Sequence, residues 1–298
     1  MAKKLLFKLE IAPALRKLEV LSKSLINTNV LGAYKSVFKG RGLEFAGYRG
    51  YTPNDDSSLI DWKASARTGE LLLKEYIEER DINIFFILDA SSSMLFGSID
   101  KLKIEYAIEL VASLSNAVLE AGDNVGIALV NDEVIAKIYP SGGKQQLYNI
   151  TKLIIDPDLY EGRFKFNVAS NFALNYLKES SVLIIVSDFI SLDKGWEERL
   201  KLLSKKFDVI GIMVRDQRDK TLPEESGKIV IGDPHSNETL LIDPKMIKNA
   251  YESIIKKQEI EIEKTFHKNS ADFVNLSTDK PFIKPILNLF KERAIKWK

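Results

Sequence analysis

The sequence predicts an α/β fold with a mostly parallel central sheet and helices on both of its faces. From residue 81 onwards, short apolar runs of strand length alternate with longer segments that have a helical period. Two of the runs, residues 82–88 and 182–187, are apolar almost throughout, which is typical of central strands covered on both faces. Each of these runs leads directly into an aspartate, Asp89 or Asp188.

The order of the remaining elements follows from the same patterns. A helix is predicted over residues 101–121, because its apolar residues recur with the period of one helix face and Gly122 ends the pattern. Strands are predicted at about 125–130 and 133–138, with a tight turn at Asn131-Asp132. The other predicted elements are a short helix after Gly143, helices over 171–179, 195–205, 245–266 and 282–293, strands over 209–214 and 272–276, and a hairpin over 228–242.

Residues 1–80 are predicted to form an N-terminal extension, and residues 81–298 the main domain. Leucines at helical spacing predict a helix over residues 9–26. Residues 40–80 are rich in Gly, Asp, Arg and aromatic residues without a helical or strand period, so we expect an ordered but irregular leader packed on the main domain. Its arginines and aspartates could form a charged surface for a partner, but internal ion pairs that pin the leader to the main domain are favoured. Trp62, Trp196 and Trp297 are interpreted as packing residues.

Composition argues against several classes of function. The chain has 43 Lys and Arg against 42 Asp and Glu, a net charge of +1, so no long-range field attracts nucleic acid or an anionic membrane. It has no Cys and two His, which argues against disulfides, Cys-based zinc sites and thiol nucleophiles. Every apolar run is shorter than the ~20 residues of a membrane span, and Lys8 and Glu10 interrupt the first one. We therefore expect a soluble, cytoplasmic protein without membrane insertion.

The residues that follow the first apolar strand carry the main chemical signal. Asp89, Ser91 and Ser93 form the pattern D-x-S-x-S, whose oxygen ligands suit a hard divalent cation such as Mg²⁺, with Mn²⁺ or Ca²⁺ as alternatives. A serine-rich loop after a strand is also ordinary turn chemistry, so the pattern alone leaves a plain loop open. Ligands of open α/β sheets bind outside the carboxyl ends of strands where strand order reverses. We therefore expect Asp89, Ser91, Ser93 and Asp188 to line one solvent-accessible crevice.

This combination resembles the metal-ion-dependent adhesion site of von Willebrand factor type A domains, which have a Rossmann-like fold. Those sites combine D-x-S-x-S with a Thr from a second loop and an Asp after a later strand. The resemblance implies metal ligands at Asp89, Ser91, Ser93 and Asp188. Val168 stands where the Thr is expected, so Ser170 or Asn167 is the alternative ligand, and we expect weak or absent metal binding.

A longer stretch resembles the prokaryotic family called domain of unknown function 58. The similarity covers roughly residues 35–290, with short motifs at 40–45, 55–56, 60–67, 79–81, 123–126, 187–189, 215–218 and 222–223. Members of this family are generally regarded as non-enzymatic partners of MoxR-type AAA+ ATPases that assist the assembly or maturation of other complexes. The resemblance therefore implies an adaptor that binds a partner rather than an enzyme.

Three functions remain open from the sequence. The first is an adaptor whose Mg²⁺ captures an acidic residue of a protein partner. The second is a Mg²⁺-dependent phosphohydrolase of haloacid-dehalogenase type, which needs a second Asp two residues after the nucleophile, where this chain has Ser91. The third is a structural scaffold with a vestigial metal site.

Overall fold

The computed structural model describes residues 34, 43–53, 55–78, 82–179, 181–223, 227–232 and 239–296. The strands are β1 (Leu43–Gly50), β2 (Leu72–Glu78), β3 (Asn83–Asp89), β4 (Asn124–Val130), β5 (Val134–Ser141), β6 (Val182–Ser187), β7 (Asp208–Arg215), β8 (Ile229–Gly232), β9 (Thr239–Ile242) and β10 (Asp272–Ser277). The helices are α1 (Trp62–Thr68), α2 (Lys103–Glu120), α3 (Lys144–Ile154), α4 (Phe166–Tyr176), α5 (Trp196–Lys206), α6 (Gln217–Lys220), α7 (Pro244–Lys268) and α8 (Ile283–Lys296). The helix expected over residues 9–26 and Trp297 lie outside the described residues.

A six-stranded sheet organises the main domain, with the strand order β10-β7-β6-β3-β4-β5. Neighbouring strands are parallel except that β5 runs antiparallel to β4. The chain first builds the sheet outward from β3 through β4 to β5, and then returns to add β6, β7 and β10 on the other side of β3. Strand order therefore reverses between β3 and β6, where open α/β sheets place their ligand crevice. The predicted mixed α/β fold with a mostly parallel sheet is confirmed.

Two apolar layers cover the faces of this sheet. On β3, Ile84, Phe86 and Leu88 join the core formed with α2, α3 and α8. Phe85 and Ile87 point to the opposite core, which α4, α5 and α7 complete. Successive strand side chains point to opposite faces, so a strand covered on both sides must be apolar at every position. This explains why residues 82–88 and 182–187 have no polar alternation.

Most predicted elements of the main domain are present, with one clear error at α4. This helix begins at Phe166, whereas the sequence pattern placed its start at residue 171. Its N-cap residue, Lys165, makes no side-chain capping bond, so the usual Ser, Thr, Asp or Asn start signal is missing. The helix after Gly143 was expected to be short, but α3 has 11 residues.

The expectation of an irregular leader is wrong for the residues that the structure describes. Strands β1 and β2 form an antiparallel pair, and α1 lies between them in the chain. A register shift between Phe45 and Gly47 breaks the two-residue period that would have revealed the first strand. Asp61 starts α1 by accepting bonds from two backbone N–H groups, and Gly69 ends it in a left-handed conformation.

Several described side chains of this extension pair with each other, whereas the hydroxyl of Tyr34 donates to Asp123 of the main domain at 2.7 Å. Arg49 and Asp55 form two bonds of 2.7 Å within the extension, so ion pairs that pin the extension to the main domain stay a prediction. Asp61 also accepts a bond from Tyr48 and lies 3.3 Å from Lys74. Trp62 is 67 % exposed and is therefore not a packing residue, whereas Trp196 is buried as expected. Packing of the whole extension on the main domain stays a prediction.

No helix among the described residues is long and apolar enough to cross a membrane.

Candidate functional site

The two aspartates predicted from the sequence meet at the reversal of strand order. Asp89 is the last residue of β3, and Asp188 follows the last residue of β6. The hydroxyl of Ser187 donates to Asp89 Oδ2 at 2.5 Å, which joins the carboxyl ends of the two strands. The parallel register of β3 and β6 thus brings together residues that lie almost a hundred positions apart in the chain.

The serines of the D-x-S-x-S pattern turn back towards Asp89. The backbone N–H of Ser91 donates to Asp89 Oδ1 at 2.8 Å, and a short 3-10 turn over Ser92–Leu95 follows. The hydroxyl groups of Ser91 and Ser93 form a hydrogen bond with each other, with their oxygens 3.0 Å apart. Asp89, Ser91, Ser93 and Asp188 therefore belong to one cluster at this end of the sheet, as expected.

The expected solvent-accessible crevice is contradicted for most of this cluster. Asp89, Ser91 and Asp188 are at most 1 % exposed, and only Ser93 is half-buried. A neighbouring loop covers the site, because Ser92 N–H donates to Gly162 O at 3.0 Å and Glu161 N–H donates to Ala90 O at 3.0 Å. Periodicity could not predict a lid that is formed by a loop seventy residues further along the chain.

A buried lysine contacts the second aspartate. Lys103 Nζ lies 2.7 Å from Asp188 Oδ2 and 2.9 Å from Asp219 Oδ2. The lysine side chain is 1 % exposed, so its charge is removed from water. Asp188 uses its other oxygen to accept a bond from Ile190 N–H at 3.0 Å. Both oxygens of Asp188 are therefore already bound by groups of the protein.

The two aspartates have opposite electrostatic environments. Burial raises the pKa of Asp89 to about 7, and the nearby charge of Asp188 adds to this effect. Burial would also raise the pKa of Asp188, but the attraction of Lys103 outweighs it and the pKa is lowered. Burial would lower the pKa of Lys103, but Asp188 and Asp219 keep it raised. The charge of Asp188 is thus balanced by Lys103, whereas Asp89 has no cationic side chain bonded to it among the described residues.

The cluster continues into the segment after β7. Asp219 Oδ2 also accepts a bond from Asp216 N–H, and Asp216 Oδ2 accepts from Ser98 N–H at 3.0 Å and from Thr278 at 3.2 Å. Arg215 precedes this segment and is fully buried. Its closest acceptors are the carbonyl of Phe189 at 3.5 Å and Gln258 at 3.4 Å, and its Nε has no partner among the described residues.

Charge is unevenly compensated in this network. Asp188 and Asp219 both contact Lys103, whereas no cationic side chain bonds to Asp89 among the described residues. Burying a charge without a partner is costly, which agrees with the raised pKa of Asp89.

Backbone strain accompanies the site. Phe189, directly after Asp188, has a φ of 50°, in the left-handed region that non-glycine residues rarely adopt. Its ring packs edge-on against Phe266 and Phe273, and its N–H donates to Ser187 Oγ at 2.9 Å. Such a conformation costs on the order of 1–3 kcal/mol and tends to occur at functional positions.

The remaining predicted ligand, Ser170, is separate from this network. Its buried hydroxyl donates to Asn167 O at 3.0 Å, and no hydrogen bond joins it to Asp89, Ser91, Ser93 or Asp188. Val168 packs against the core on the α4 side of the sheet. Asn167 Oδ1 is buried and has no partner among the described residues, although Asn167 N–H donates to Asp193. Of the two alternatives weighed from the sequence, Asn167 therefore has the free oxygen.

The residues present fit a hard cation that is coordinated largely by hydroxyl and water oxygens. In an octahedral Mg²⁺ shell with bonds of about 2.1 Å, adjacent ligand oxygens are about 3 Å apart. The hydroxyl oxygens of Ser91 and Ser93 have this separation as hydrogen-bond partners, so they could both contact one ion without moving apart. No group of three or more His, Cys, Asp or Glu side chains in the described residues could hold a metal by itself. A cation here would therefore depend on the serines and on water.

Sequence reasoning missed Lys103, Ser187 and Asp219. Ser187 had a visible signal, because it is the polar end of an otherwise apolar strand. The signal at Lys103 was weaker. This lysine is the first residue of α2, where the positive end of the helix dipole disfavours a cation, so its presence there is unusual. Asp219 lies in a four-residue helix after β7, and nothing in its local pattern indicates a contact with α2.

Comparison with known proteins identifies the family. The family model described as "Protein of unknown function DUF58" matches residues 47–261. The chain belongs to this family. An uncharacterised protein of Mycobacterium tuberculosis, Rv1480, is 24% identical over 288 residues, covering 95% of this chain and 90% of the relative. The uncharacterised protein YeaD of Bacillus subtilis is 34% identical over 88 residues, which is 30% of this DUF58 chain and 20% of YeaD.

Solved structures similar to this DUF58 protein include two from Bacteroides. One is the conserved hypothetical protein BatB of Bacteroides thetaiotaomicron, with a TM-score of 0.48, 16% identity, and coverage of 72% of this chain and 99% of BatB. The other is an aerotolerance-related membrane protein of Bacteroides fragilis, with a TM-score of 0.47, 15% identity, and coverage of 72% and 99%.

Proposed function

We propose that this chain is a non-enzymatic adaptor of von Willebrand factor A type, which uses a divalent cation at Asp89, Ser91 and Ser93 to bind an acidic residue of a protein partner. The observation that carries the proposal is the pair of serine hydroxyls, 3.0 Å apart, beside a buried aspartate that lacks a cationic partner among the described residues. Their position at the reversal of strand order gives independent support.

Each side chain has a distinct part in this proposal. Ser91 and Ser93 supply two neighbouring hydroxyl oxygens, and Ser93 is the more exposed of the two. Asp89 supplies the negative charge, and the bonds from Ser91 N–H and Ser187 hold its carboxylate in place. Asp188 stays with Lys103 and acts on the cation through its charge or through water. A bound Mg²⁺ would contribute an open coordination position for a carboxylate of the partner.

The partner class follows from the family resemblance noted in the sequence. We propose a MoxR-type AAA+ ATPase that presents an acidic side chain. The whole chain has a nearly neutral net charge of +1, so specificity would come from the local site rather than from long-range attraction.

The geometry favours binding over phosphoryl-transfer chemistry. A nucleophilic aspartate must present a free oxygen to its substrate, whereas both oxygens of Asp89 accept hydrogen bonds and the side chain is fully buried. Position 91, where an acid/base carboxylate would be needed, carries a serine that contacts Ser93. The competing function is a scaffold with a vestigial metal site. Measurements of cation binding and partner binding distinguish it from the adaptor.

The proposal is tested by measuring cation binding and partner binding on the same protein. Titration with Mg²⁺ and Mn²⁺ by calorimetry should show weak binding to the wild type and none to Asp89→Ala or Ser91→Ala. A MoxR-type ATPase from the same genome should then bind the wild type in Mg²⁺ but not in chelator. Asp132→Ala serves as a control, since Asp132 lies in an exposed turn next to the covering loop. If the partner binds equally well with and without chelator, the cation does not contribute to binding. The adaptor proposal would then fail, and the scaffold would be the supported function.

A further inference from the structure

We infer that the outward side of α1, formed by Trp62, Lys63, Ala66 and Arg67, is a docking surface for an acidic segment of a protein partner that also carries an apolar side chain. We call this surface the α1 face. It belongs to the N-terminal extension and uses no metal ion. The inference therefore goes beyond the proposed function and does not depend on the site at Asp89.

The motif over residues 60–67 divides into an inner and an outer set of side chains. The inner set has structural contacts: Ile60 is buried and forms a bridge with Leu73, and the buried hydroxyl of Ser65 accepts a bond from Leu72 N–H at 2.8 Å. The side chains of the α1 face are exposed, at positions i, i+1, i+4 and i+5, which lie on one side of a helix. Folding of the extension accounts for the inner set and leaves the α1 face unexplained.

Two features of the α1 face do not favour the folded chain on its own. Trp62 is 67 % exposed, so most of its ring contacts water rather than protein. Lys63 and Arg67 are four residues apart, where like charges repel and destabilise a helix. Neither of these two side chains has an ion pair within the described part of the chain. Tryptophan and arginine are the residue types that most often dominate binding between proteins, which favours a docking role.

The charge around α1 favours an acidic occupant. The three aspartates of residues 55–61 already accept bonds within the extension. Glu70 follows the helix and can balance only one of the two cations, Lys63 and Arg67. A net positive charge therefore remains beside the Trp62 ring. Carboxylates of a partner would complement this charge, and an adjacent apolar side chain would cover the ring.

The size of the α1 face favours a short protein segment over nucleic acid or a large interface. Nucleic-acid binding depends on many phosphate contacts, whereas this face has two cations and the whole chain has a net charge of +1. A standard protein interface uses about 20–30 residues on each side, whereas α1 has seven residues in all. We therefore expect weak, salt-dependent docking of a short segment.

Fluorescence anisotropy with a labelled peptide tests this docking. The probe is a short fluorescein-labelled peptide in which glutamates flank two leucines, and the wild-type chain should bind it in chelator at low salt. Trp62→Ala should weaken binding about tenfold, because the apolar contact is lost. The double variant Lys63→Gln/Arg67→Gln should weaken it about fivefold, as expected for the loss of two exposed ion pairs. Salt at about 1 M should also weaken binding to the wild type, since it screens exposed charges.

Matched controls address charge, folding and the cation site in turn. Lys201→Gln/Lys205→Gln neutralises two exposed lysines with the same four-residue spacing on α5, and peptide binding should not change. A probe with Gln in place of each Glu should bind the wild type about fivefold more weakly. Trp62→Ala should melt within about 2 °C of the wild type, because its ring is mostly exposed. Asp89→Ala should bind the peptide as the wild type does.

Four results would overturn the inference. The first is a wild type that does not bind the acidic peptide, and the second is a Trp62→Ala variant that binds it as tightly as the wild type. The third is tighter binding of single-stranded oligouridylate than of the peptide, lost in the same variants, which would make the α1 face a nucleic-acid surface. The fourth is a melting temperature of Trp62→Ala more than about 5 °C below that of the wild type, which would show a packed ring. Because every peptide titration is done in chelator, failure of the proposed cation site leaves these results unchanged.

Discussion

The two ends of β7 bury an arginine each, and the two arginines have different surroundings. At the amino end, Arg293 from α8 bonds to Asp208 and Asp272, the first residues of β7 and β10. At the carboxyl end, the described contacts of Arg215 are long ones, to a carbonyl oxygen at 3.5 Å and to an amide oxygen at 3.4 Å. Both guanidinium groups are fully buried.

This difference concerns how completely the buried charges are paired at each end of the sheet. At the amino end, each terminal nitrogen of Arg293 has its own carboxylate, as in a structural ion pair with good geometry. At the carboxyl end, Arg215 lowers the pKa of Asp188 from a distance, while Asp89 remains uncompensated and its pKa is raised. A buried network that is left incomplete is expensive, which is typical of a site that is completed by a ligand.

The largest expected effect is on the free energy of unfolding when either arginine is replaced. Arg293→Met should lower the free energy of unfolding by about 3 kcal/mol, because two carboxylates lose their shared partner. Arg215→Met should cost only about 1 kcal/mol, because no carboxylate bonds to this guanidinium in the described structure. Urea denaturation in chelator, followed by circular dichroism, gives both values. Equal costs for the two variants would show that Arg215 is as firmly paired as Arg293, and the contrast between the ends would be lost.

A second prediction concerns the pH dependence of the uncompensated carboxylate. The pKa of Asp89 is raised to about 7 in the folded protein, so the folded state binds a proton that the unfolded chain releases near its ordinary pKa of about 3.9. Stability should therefore fall as pH rises through this window. The side chain at position 89 of the Asp89→Asn variant cannot ionise. The free energy of unfolding of this variant, relative to that of the wild type, should therefore rise by on the order of 2 kcal/mol between about pH 5 and about pH 8.

Thermal unfolding in chelator at these two pH values checks the prediction. Divalent cation should reverse the effect for the wild type and leave Asp89→Asn unchanged, since only an ionised carboxylate attracts the ion. A difference between the two proteins that is independent of pH would mean that Asp89 is already ionised and stabilised in the folded state.

The main sheet could be predicted because its signals are local. Continuous apolar runs indicated β3 and β6, and the aspartates at their ends indicated where a site would form. The start of α4 could not be predicted, because Lys165 gives no capping signal. The β1–β2 pair was hidden by a register shift, which disrupts the strand period while keeping the pairing.

The composition of the site was less predictable than its position. Asp89, Ser91, Ser93 and Asp188 are recognisable because they lie at strand ends, but Lys103 and Asp219 come from two different helices. Their contact with Asp188 depends on how α2 and the segment after β7 pack, which no local pattern encodes. The covering loop near Gly162 is a further tertiary feature, and it explains why the cluster is buried rather than open.

The smallest expected effect concerns the ligand that replaces the missing threonine. Asn167 Oδ1 is a buried oxygen without a partner among the described residues, whereas Ser170 donates to a backbone carbonyl and Val168 packs on the core. Asn167→Ala should therefore weaken Mg²⁺ or Mn²⁺ binding several-fold, and Ser170→Ala should have little effect. Val168→Thr should leave affinity unchanged and cost about 1 kcal/mol of stability, because its hydroxyl enters apolar surroundings. Tighter binding by Val168→Thr, measured in the same titration, would instead place residue 168 in the coordination shell and assign Asn167 a purely structural role.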